Sequence, residues 1–432
     1  MLDAIPPLDR HPWKARALAD TSADTIEIVR HQPMAFTEFV IVIAAIMALN
    51  PLAMDMMLPA LPDIGSAFHI GSANRVQMVL SAFVIGFGFG QFAIGPLSDS
   101  FGRRPVLVGG MVLYVIASLL AIAAPSFETL LLARALEGLG TAATRVIATS
   151  IVRDCYAGRR MASVVSLAMM VFIAIPVVAP AFGQAVMLLT QWRGIFVVLT
   201  VYGIVALLWT IFRLPETLPE NERKPFSVAA ISDAFRATLT NRQTLGYALA
   251  ASGIFGAVLG YVLSSQQLFT GFYGLGHYFP LAFAAIAVTI AIAGFLNARL
   301  VGRLGMRMIS HGALVGAVVI ALVCFSAAML GLLPLWLFMT LSAGMMFSFG
   351  LMFANFTALA MEPQRANAGT ASSLYGSITT LLGMAAGAVV GQAFDGTPLP
   401  FATGFLACTA SALVIVLITE KGRLFHGQGK PV

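Results

Sequence analysis

The chain has 432 residues, 59% hydrophobic and only 10% charged, with a formal net charge of +6. A soluble domain carries about 25% charge, so this composition excludes a soluble protein and places the bulk of the chain in lipid. The three cysteines, Cys155, Cys324 and Cys408, are odd in number and scattered, and suggest neither a disulfide framework nor a metal site.

Residues 1–36 are polar, contain Arg10, Lys14, Arg16 and Arg30, and lack a small-residue cleavage site behind a short apolar core. They read as a cytoplasmic tail and not as a signal peptide. Apolar runs then recur near 37–61, 76–98, 105–124, 128–150, 161–189, 193–213, 243–270, 278–300, 308–331, 334–360, 368–393 and 400–420. Each is long enough to cross roughly 30 Å of hydrocarbon as a helix. With the tail inside, 21 of the 25 Lys+Arg fall on cytoplasmic segments. Only Arg75 and Arg193 fall outside, while Arg134 and Arg145 lie within a span. Lys and Arg are retained on the cytoplasmic side, so this alternation predicts twelve spans with both termini inside, the second terminus being a short tail over 421–432.

The first span carries Asn50 and, in its outer half, Asp55. Between the second and third spans, Gly95-Pro-Leu-Ser-Asp-Ser-Phe-Gly-Arg-Arg-Pro105 leaves almost no loop, and its Gly and Pro supply the turn. Asp99 and Arg103 stand one helical turn apart, a polar latch that Asp154, after the fourth span, is placed to join. The fourth span holds Arg134, Glu137, Thr141 and Arg145. At about 100° per residue, Arg134, Gly138, Thr141 and Arg145 share a face, with Glu137 beside it. Ionisable groups in hydrocarbon are costly and mark cavities or partners. Arg134 and Glu137 read either as working groups or as a static, self-neutralising pair, and Asp55 either as a proton carrier or as a solvated helix end. The fifth span contains Pro176, Pro180 and Gly183, which read as bending and close packing or as ordinary helix contacts.

The stretch 214–242 interrupts the spans and divides them six and six, 37–213 and 243–420, with an amphipathic segment at 226–240. Phe101-Gly-Arg-Arg104 aligns with Leu304-Gly-Met-Arg307: Gly102 matches Gly305 and Arg104 matches Arg307, while the place of Asp99 falls to Gly302. A decayed repeat of this kind fits two homologous bundles around a central cavity. The expected fold is therefore an all-α membrane protein of about twelve transmembrane helices in two pseudo-symmetric six-helix bundles. The soft filling, 21 Met and 31 Phe, suits a wall that adapts to varied lipophilic molecules or simply packs the core. No phosphate loop and no metal-ligand cluster stand out, so no cofactor is expected and ATP-driven transport is disfavoured.

The hairpin 95–105 resembles the cytoplasmic signature (G-x-L-a-D-x-x-G-R-[RK]) of major facilitator superfamily transporters. Arg134-Ala-Leu-Glu-Gly resembles the R-x-x-Q-G signature of the same superfamily, with Glu137 in place of Gln. Ile175-Pro-Val-Val-Ala-Pro-Ala-Phe-Gly183 is similar in part to the antiporter signature, with Ala179 and Gln184 where Gly is usual. Met54-Asp-Met-Met-Leu-Pro-Ala-Leu-Pro62, Leu214-Pro-Glu-Thr-Leu218 and Val152-Arg-Asp-Cys-Tyr156 look like the Bcr/CflA (bicyclomycin/chloramphenicol resistance) drug:proton antiporters. The resemblance implies export of small lipophilic compounds against protons across a bacterial inner membrane by a monomer without nucleic-acid partners. It also implies roles. Asp55, Glu137 and Arg134 couple protons; Asn50, Asp55, Arg134, Glu137, Thr141 and Arg145 line the cavity. Gly95, Asp99, Gly102, Arg103, Arg104 and Asp154 gate the cytoplasmic side, and Pro176, Pro180 and Gly183 form the antiporter helix. Export of a polar sugar or amino-acid derivative is the competing expectation, with a membrane enzyme or a channel further off.

Overall fold

The computed structural model describes residues 34–156, 158–223, 227–364 and 368–425. Most of the N-terminal tail, Lys224, Arg365 and the chain after 425 lie outside them. Among the described residues the chain is all helix and turn, with no strand. Twelve long helices follow in order: α1 Phe36–Asp55, α2 Met78–Phe101, α3 Arg103–Ile122, α4 Phe127–Cys155, α5 Gly158–Leu189, α6 Arg193–Arg213, α7 Arg242–Gln266, α8 Phe279–Leu304, α9 Met306–Met329, α10 Leu335–Met361, α11 Ala368–Gln392 and α12 Leu399–Thr419. Ten helical segments meet the length and apolarity of a membrane span. Of the other two long helices, α4 carries six charged side chains (Glu128, Arg134, Glu137, Arg145, Arg153, Asp154), and α5 contributes the apolar stretch Ala174–Leu189.

Two expected spans end differently. The first was expected to run unbroken over 37–61, but the α-helix stops at Asp55. A 3-10 turn over Leu58–Ala60 follows, and a short helix continues to Ala67. Pro59 and Pro62 lack the N–H a continuing helix requires, so each falls at a helix start instead. The seventh ends in a π-helical turn over Gln267–Phe272, the irregularity that often marks a working position. The amphipathic stretch of the central segment forms a helix over Val228–Thr240, and its Phe235 ring lies 6.1 Å from that of Phe92 on α2.

Helices α1–α6 pack on one another and α7–α12 do the same, with α2 against α11 and α5 against α8 joining the two groups. Backbone meets backbone where side chains are absent. A Cβ on Gly86 would collide with the carbonyl oxygen of Ala135, and one on Gly138 with that of Phe83, so α2 and α4 approach as closely as chains allow. Overpacking a tight contact costs about 1–3 kcal/mol or more. Gly138→Ala is therefore expected to lower the thermal unfolding temperature of the purified protein in detergent. Gly109→Ala, on open α3 surface, is the matched control and should leave it unchanged.

The two turns of the aligned repeat have the same shape. Gly102 has φ 98° and ψ 158°, and Gly305 has φ 83° and ψ 156°. Both lie in the positive-φ region that favours glycine. The correspondence inferred from a few residues is thus a shared backbone geometry in the two halves.

Candidate functional site

Arg134 has no accessible surface and touches α1, α2 and α6. Its Nη2 donates to the Ala53 carbonyl of α1 at 3.0 Å, and its Nε donates to Val79 at the start of α2 at 3.3 Å. Nη1 meets Glu137 Oε2 at 2.6 Å, an i,i+3 pair on α4. Glu137 Oε1 accepts from Ser118 of α3 at 2.5 Å. The guanidinium also lies over the Phe83 ring at 4.5 Å and 5.8 Å from Phe196 of α6. The glycine contact between α2 and α4 brings Phe83 to that place. A guanidinium is planar with donors in a fixed fork, so α1, α2 and α6 are registered against one cation, and α3 against its partner Glu137.

Asp55 closes α1 two residues beyond that carbonyl and is 6% exposed. Among the described residues its carboxylate forms no hydrogen bond or ion pair. The chain beside it is gripped from α5: a Cβ on Gly183 would collide with the Met56 carbonyl oxygen. Pro176 and Pro180 lie within α5, which runs through both as one helix. Asn50 lies buried on α1, five residues before Asp55.

The face expected to present Arg134, Gly138, Thr141 and Arg145 together inward is divided. Arg134, Glu137 and Thr141 are sealed inside the first bundle, and the Thr141 hydroxyl donates back to Gly138 O at 2.9 Å. Arg145 alone of these reaches the other bundle, 5.9 Å from the Phe353 ring of α10. The reason is local. With no side chain at Gly138, α2 presses onto α4 and buries that part of the stripe.

The hairpin cluster lies at the end of the membrane helices that carries Arg103 and Arg104, termed the arginine face. Arg103 meets Asp99 at 2.5 Å, Asp154 at 3.0 Å and Ser98 Oγ at 2.8 Å. Glu216 accepts from the backbone N–H of Arg103 and of Arg104, and Arg104 Nη2 donates to Ile211 O at 2.6 Å. All these groups belong to α2, α3, α4, α6 and, through Glu216, the start of the central segment, so the cluster braces one bundle and ties the central segment to it. Among the described residues, the bundles meet toward this face at Gly95, where a Cβ would collide with Ser373 Oγ of α11.

The second bundle repeats the brace with different acids. Arg307 meets Glu420 at 3.0 Å and Glu362 at 3.6 Å. Glu420 also accepts from the Tyr247 hydroxyl at 2.6 Å, and Tyr247 lies 3.0 Å from His311 Nε2. His311 Nδ1 accepts from the Phe425 N–H at 3.2 Å, so Nε2 carries the ring proton toward Tyr247. Burial pushes the Glu420 carboxyl up, but the hydrogen bonds from Tyr247 and Arg307 and the Arg307 charge outweigh it and hold it below the usual range. Sequence reasoning missed this group; Glu216 after α6 and Glu420 after α12 are the repeat signal that points to it.

At the opposite face, among the described residues, five hydrogen bonds from side-chain amides join the bundles. Gln77 Nε2 donates to Gln267 at 2.6 Å, and Gln267 Nε2 donates to Asn74 at 2.8 Å. Asn74 Nδ2 donates to the carbonyls of Gln392 and Phe394, each at 2.9 Å, and Gln392 Nε2 returns to Asn74 O at 2.6 Å. A cavity of about 340 Å³ opens beside this clasp, lined in part by Leu61, Gly65, Ile70, Leu263 and Gln266. Gln267→Ala removes two of the five bonds, each contributing about 0.5–1.5 kcal/mol. With Ile70→Cys as reporter, this variant should react with a membrane-impermeant maleimide from that face about tenfold faster than the Ile70→Cys parent, since 1.4 kcal/mol is tenfold.

Known proteins agree with this architecture. The Major Facilitator Superfamily profile matches residues 43–388. An uncharacterized MFS-type transporter of Bacillus subtilis, YdgK, is 33% identical over 79% of this chain and 86% of its own length. A bicyclomycin resistance protein homolog of Haemophilus influenzae is 29% identical over 90% of this chain and 98% of its own. In three dimensions the xylose transporter XylE from E. coli, in a partially occluded inward open conformation, superposes with a TM-score of 0.70. It is 11% identical over 92% of this chain and 99% of its own, a likeness of fold. The brace repeated at Gly102 and Gly305, the buried arginine pair and these matches lead to one assignment: the chain is a multi-pass membrane transporter, not an enzyme, and belongs to the Major Facilitator Superfamily, with its likeness to the Bcr/CflA branch shared by its relatives.

Proposed function

We propose that this transporter exports small, mostly lipophilic compounds in exchange for protons, as a monomer in a bacterial inner membrane with both termini cytoplasmic. The observation that carries the reading is Asp55: a buried carboxyl with no hydrogen bond among the described residues, two positions from the carbonyl that Arg134 holds. An acid kept in that setting is a functional group by default. The relatives named for bicyclomycin and multidrug resistance support a drug-like cargo, and the arginine distribution supports the arginine face as cytoplasmic.

In this mechanism the bundles 37–213 and 243–420 rock about the central segment 214–242. Asp55 takes a proton while the outer face is open and yields it when the site opens inward and cargo arrives. Arg134, fixed on α1 and paired with Glu137, holds the local field while that exchange occurs. The brace of Asp99, Arg103 and Asp154, with Gly102 and Arg104 in its turn, keeps α2–α4 rigid so that Gly95 can seat against α11. The amide clasp closes the outer side, and here it is formed together with the Gly95 contact.

The test is proton flux in proteoliposomes as lipophilic compounds and sugar or amino-acid derivatives are added one at a time. Proton movement evoked by the lipophilic set supports the proposal. Movement evoked by the polar set alone moves the cargo to a polar metabolite, and undiminished accumulation with the pH difference collapsed removes proton coupling.

A further inference from the structure

The outward face of α8 ends in charge. At about 100° per residue, Leu281, Val288, Ile292, Phe295, Arg299 and Arg303 lie within about 40° of one line along the helix, and all six are exposed. The opposite side packs inward, where Asn297 accepts from Asn355 of α10 at 2.7 Å. An apolar stripe that turns away from its bundle along a membrane span faces lipid, and the two arginines continue that stripe to the arginine face. Arg303 lies in the last turn, and Arg299 stands one turn, about 6 Å, deeper, its guanidinium over the Phe295 ring at 4.2 Å. Neither forms a hydrogen bond or an ion pair among the described residues, whereas Arg307 is neutralised by Glu420 and Glu362. The repeat sharpens the contrast. Aligning Gly102 with Gly305 carries Phe92 onto Phe295, ten residues before each glycine, and Pro96 and Ser100 onto Arg299 and Arg303. In the first bundle the helix Val228–Thr240 lies over that place, with Phe235 against Phe92 at 6.1 Å. In the second, Phe295 is exposed and two cations are added.

We propose that Arg299 and Arg303 form a binding site for an anionic phospholipid in the leaflet on the arginine face, its phosphate held by the two guanidinium groups and an acyl chain lying along Phe295 and Ile292. A guanidinium offers a fixed fork that matches phosphate oxygens in pairs, and each cation near an anionic lipid surface adds to the attraction. Two unneutralised cations favour a lipid of net negative charge, such as phosphatidylglycerol, over phosphatidylcholine, whose choline offsets its phosphate.

The experiment uses the full chain in phosphatidylcholine nanodiscs doped with a trace of phosphatidylglycerol that carries a diazirine on one acyl chain. After illumination, mass spectrometry compares labelling of residues 288–296 on α8 with labelling of the exposed Val112 and Ile116 on α3, a reference surface in the same chain. This ratio should be about tenfold or more above the one given by phosphatidylcholine with the same diazirine, the scale of two cations at an anionic surface. Arg299→Gln with Arg303→Gln should bring the two lipids level. Arg153→Gln, at another exposed arginine of the arginine face, should leave the ratio unchanged. Thermal unfolding shows that the variants fold, and the comparison of the two lipids in the parent chain stands without them. Equal ratios for the two lipids in the parent chain overturn the assignment. So does a preference that survives the double substitution, or one that falls as far with Arg153→Gln. A preference abolished by inorganic phosphate but not by chloride at equal ionic strength makes this a site for a free anion and overturns the lipid. An α8 stripe that takes no label from either lipid overturns it too, because another part of the chain then covers this face.

Discussion

Asp55→Asn is expected to abolish gradient-driven efflux, bringing it to the level of empty vesicles, while downhill exchange of the same compound persists. Asparagine keeps the size of the side chain and removes its exchangeable proton, so folding and the α1–α5 contact at Met56 and Gly183 should be kept. The carboxyl has no hydrogen bond to lose among the described residues, so a structural penalty is not the expected source of the effect. Proteoliposomes with a pH jump read the first quantity, and counterflow without a gradient reads the second. Full uphill transport by Asp55→Asn would remove Asp55 from coupling and shift attention to Glu137.

The second large effect concerns the sealed pair. Removing one member of a buried ion pair strands its partner, at a cost of about 3–5 kcal/mol, whereas replacing both with apolar side chains is often neutral. Arg134→Leu leaves Glu137 with only Ser118 and releases the carbonyls of Ala53 and Val79. It should therefore lower the unfolding temperature sharply. Arg134→Leu with Glu137→Leu together should recover much of that loss. The static and the working readings then separate: a double variant that folds yet loses gradient-driven transport shows a pair that works, and one that transports normally shows a pair that merely neutralises itself.

How far these features were legible depends on their chemistry. Spans and the hairpin at 95–105 follow from long apolar runs broken by Gly, Pro and Arg, signals that local sequence carries in full. The Arg134–Glu137 pair follows from i,i+3 spacing on one helix. The clasp of Asn74, Gln77, Gln267 and Gln392 left no comparable trace, because neutral amides near span ends are ordinary and these come from three distant stretches. Its assembly needs the packing of α2 on α11 and the π turn that places Gln267. The division of the α4 stripe was equally hidden. Helical periodicity places Arg134 and Arg145 on one face but does not say that Gly138 lets α2 cover half of it.

The carboxylate of Glu420 matters to anyone handling this protein. It sits one residue past α12, yet it partners Arg307 and Tyr247, and the turn after it returns Phe425 to His311. A fluorescent reporter or purification tag joined directly behind Thr419 would delete a stay of the second bundle. Joined beyond Phe425, the same appendage leaves that stay in place, so a poorly expressed fusion should first be suspected at its junction.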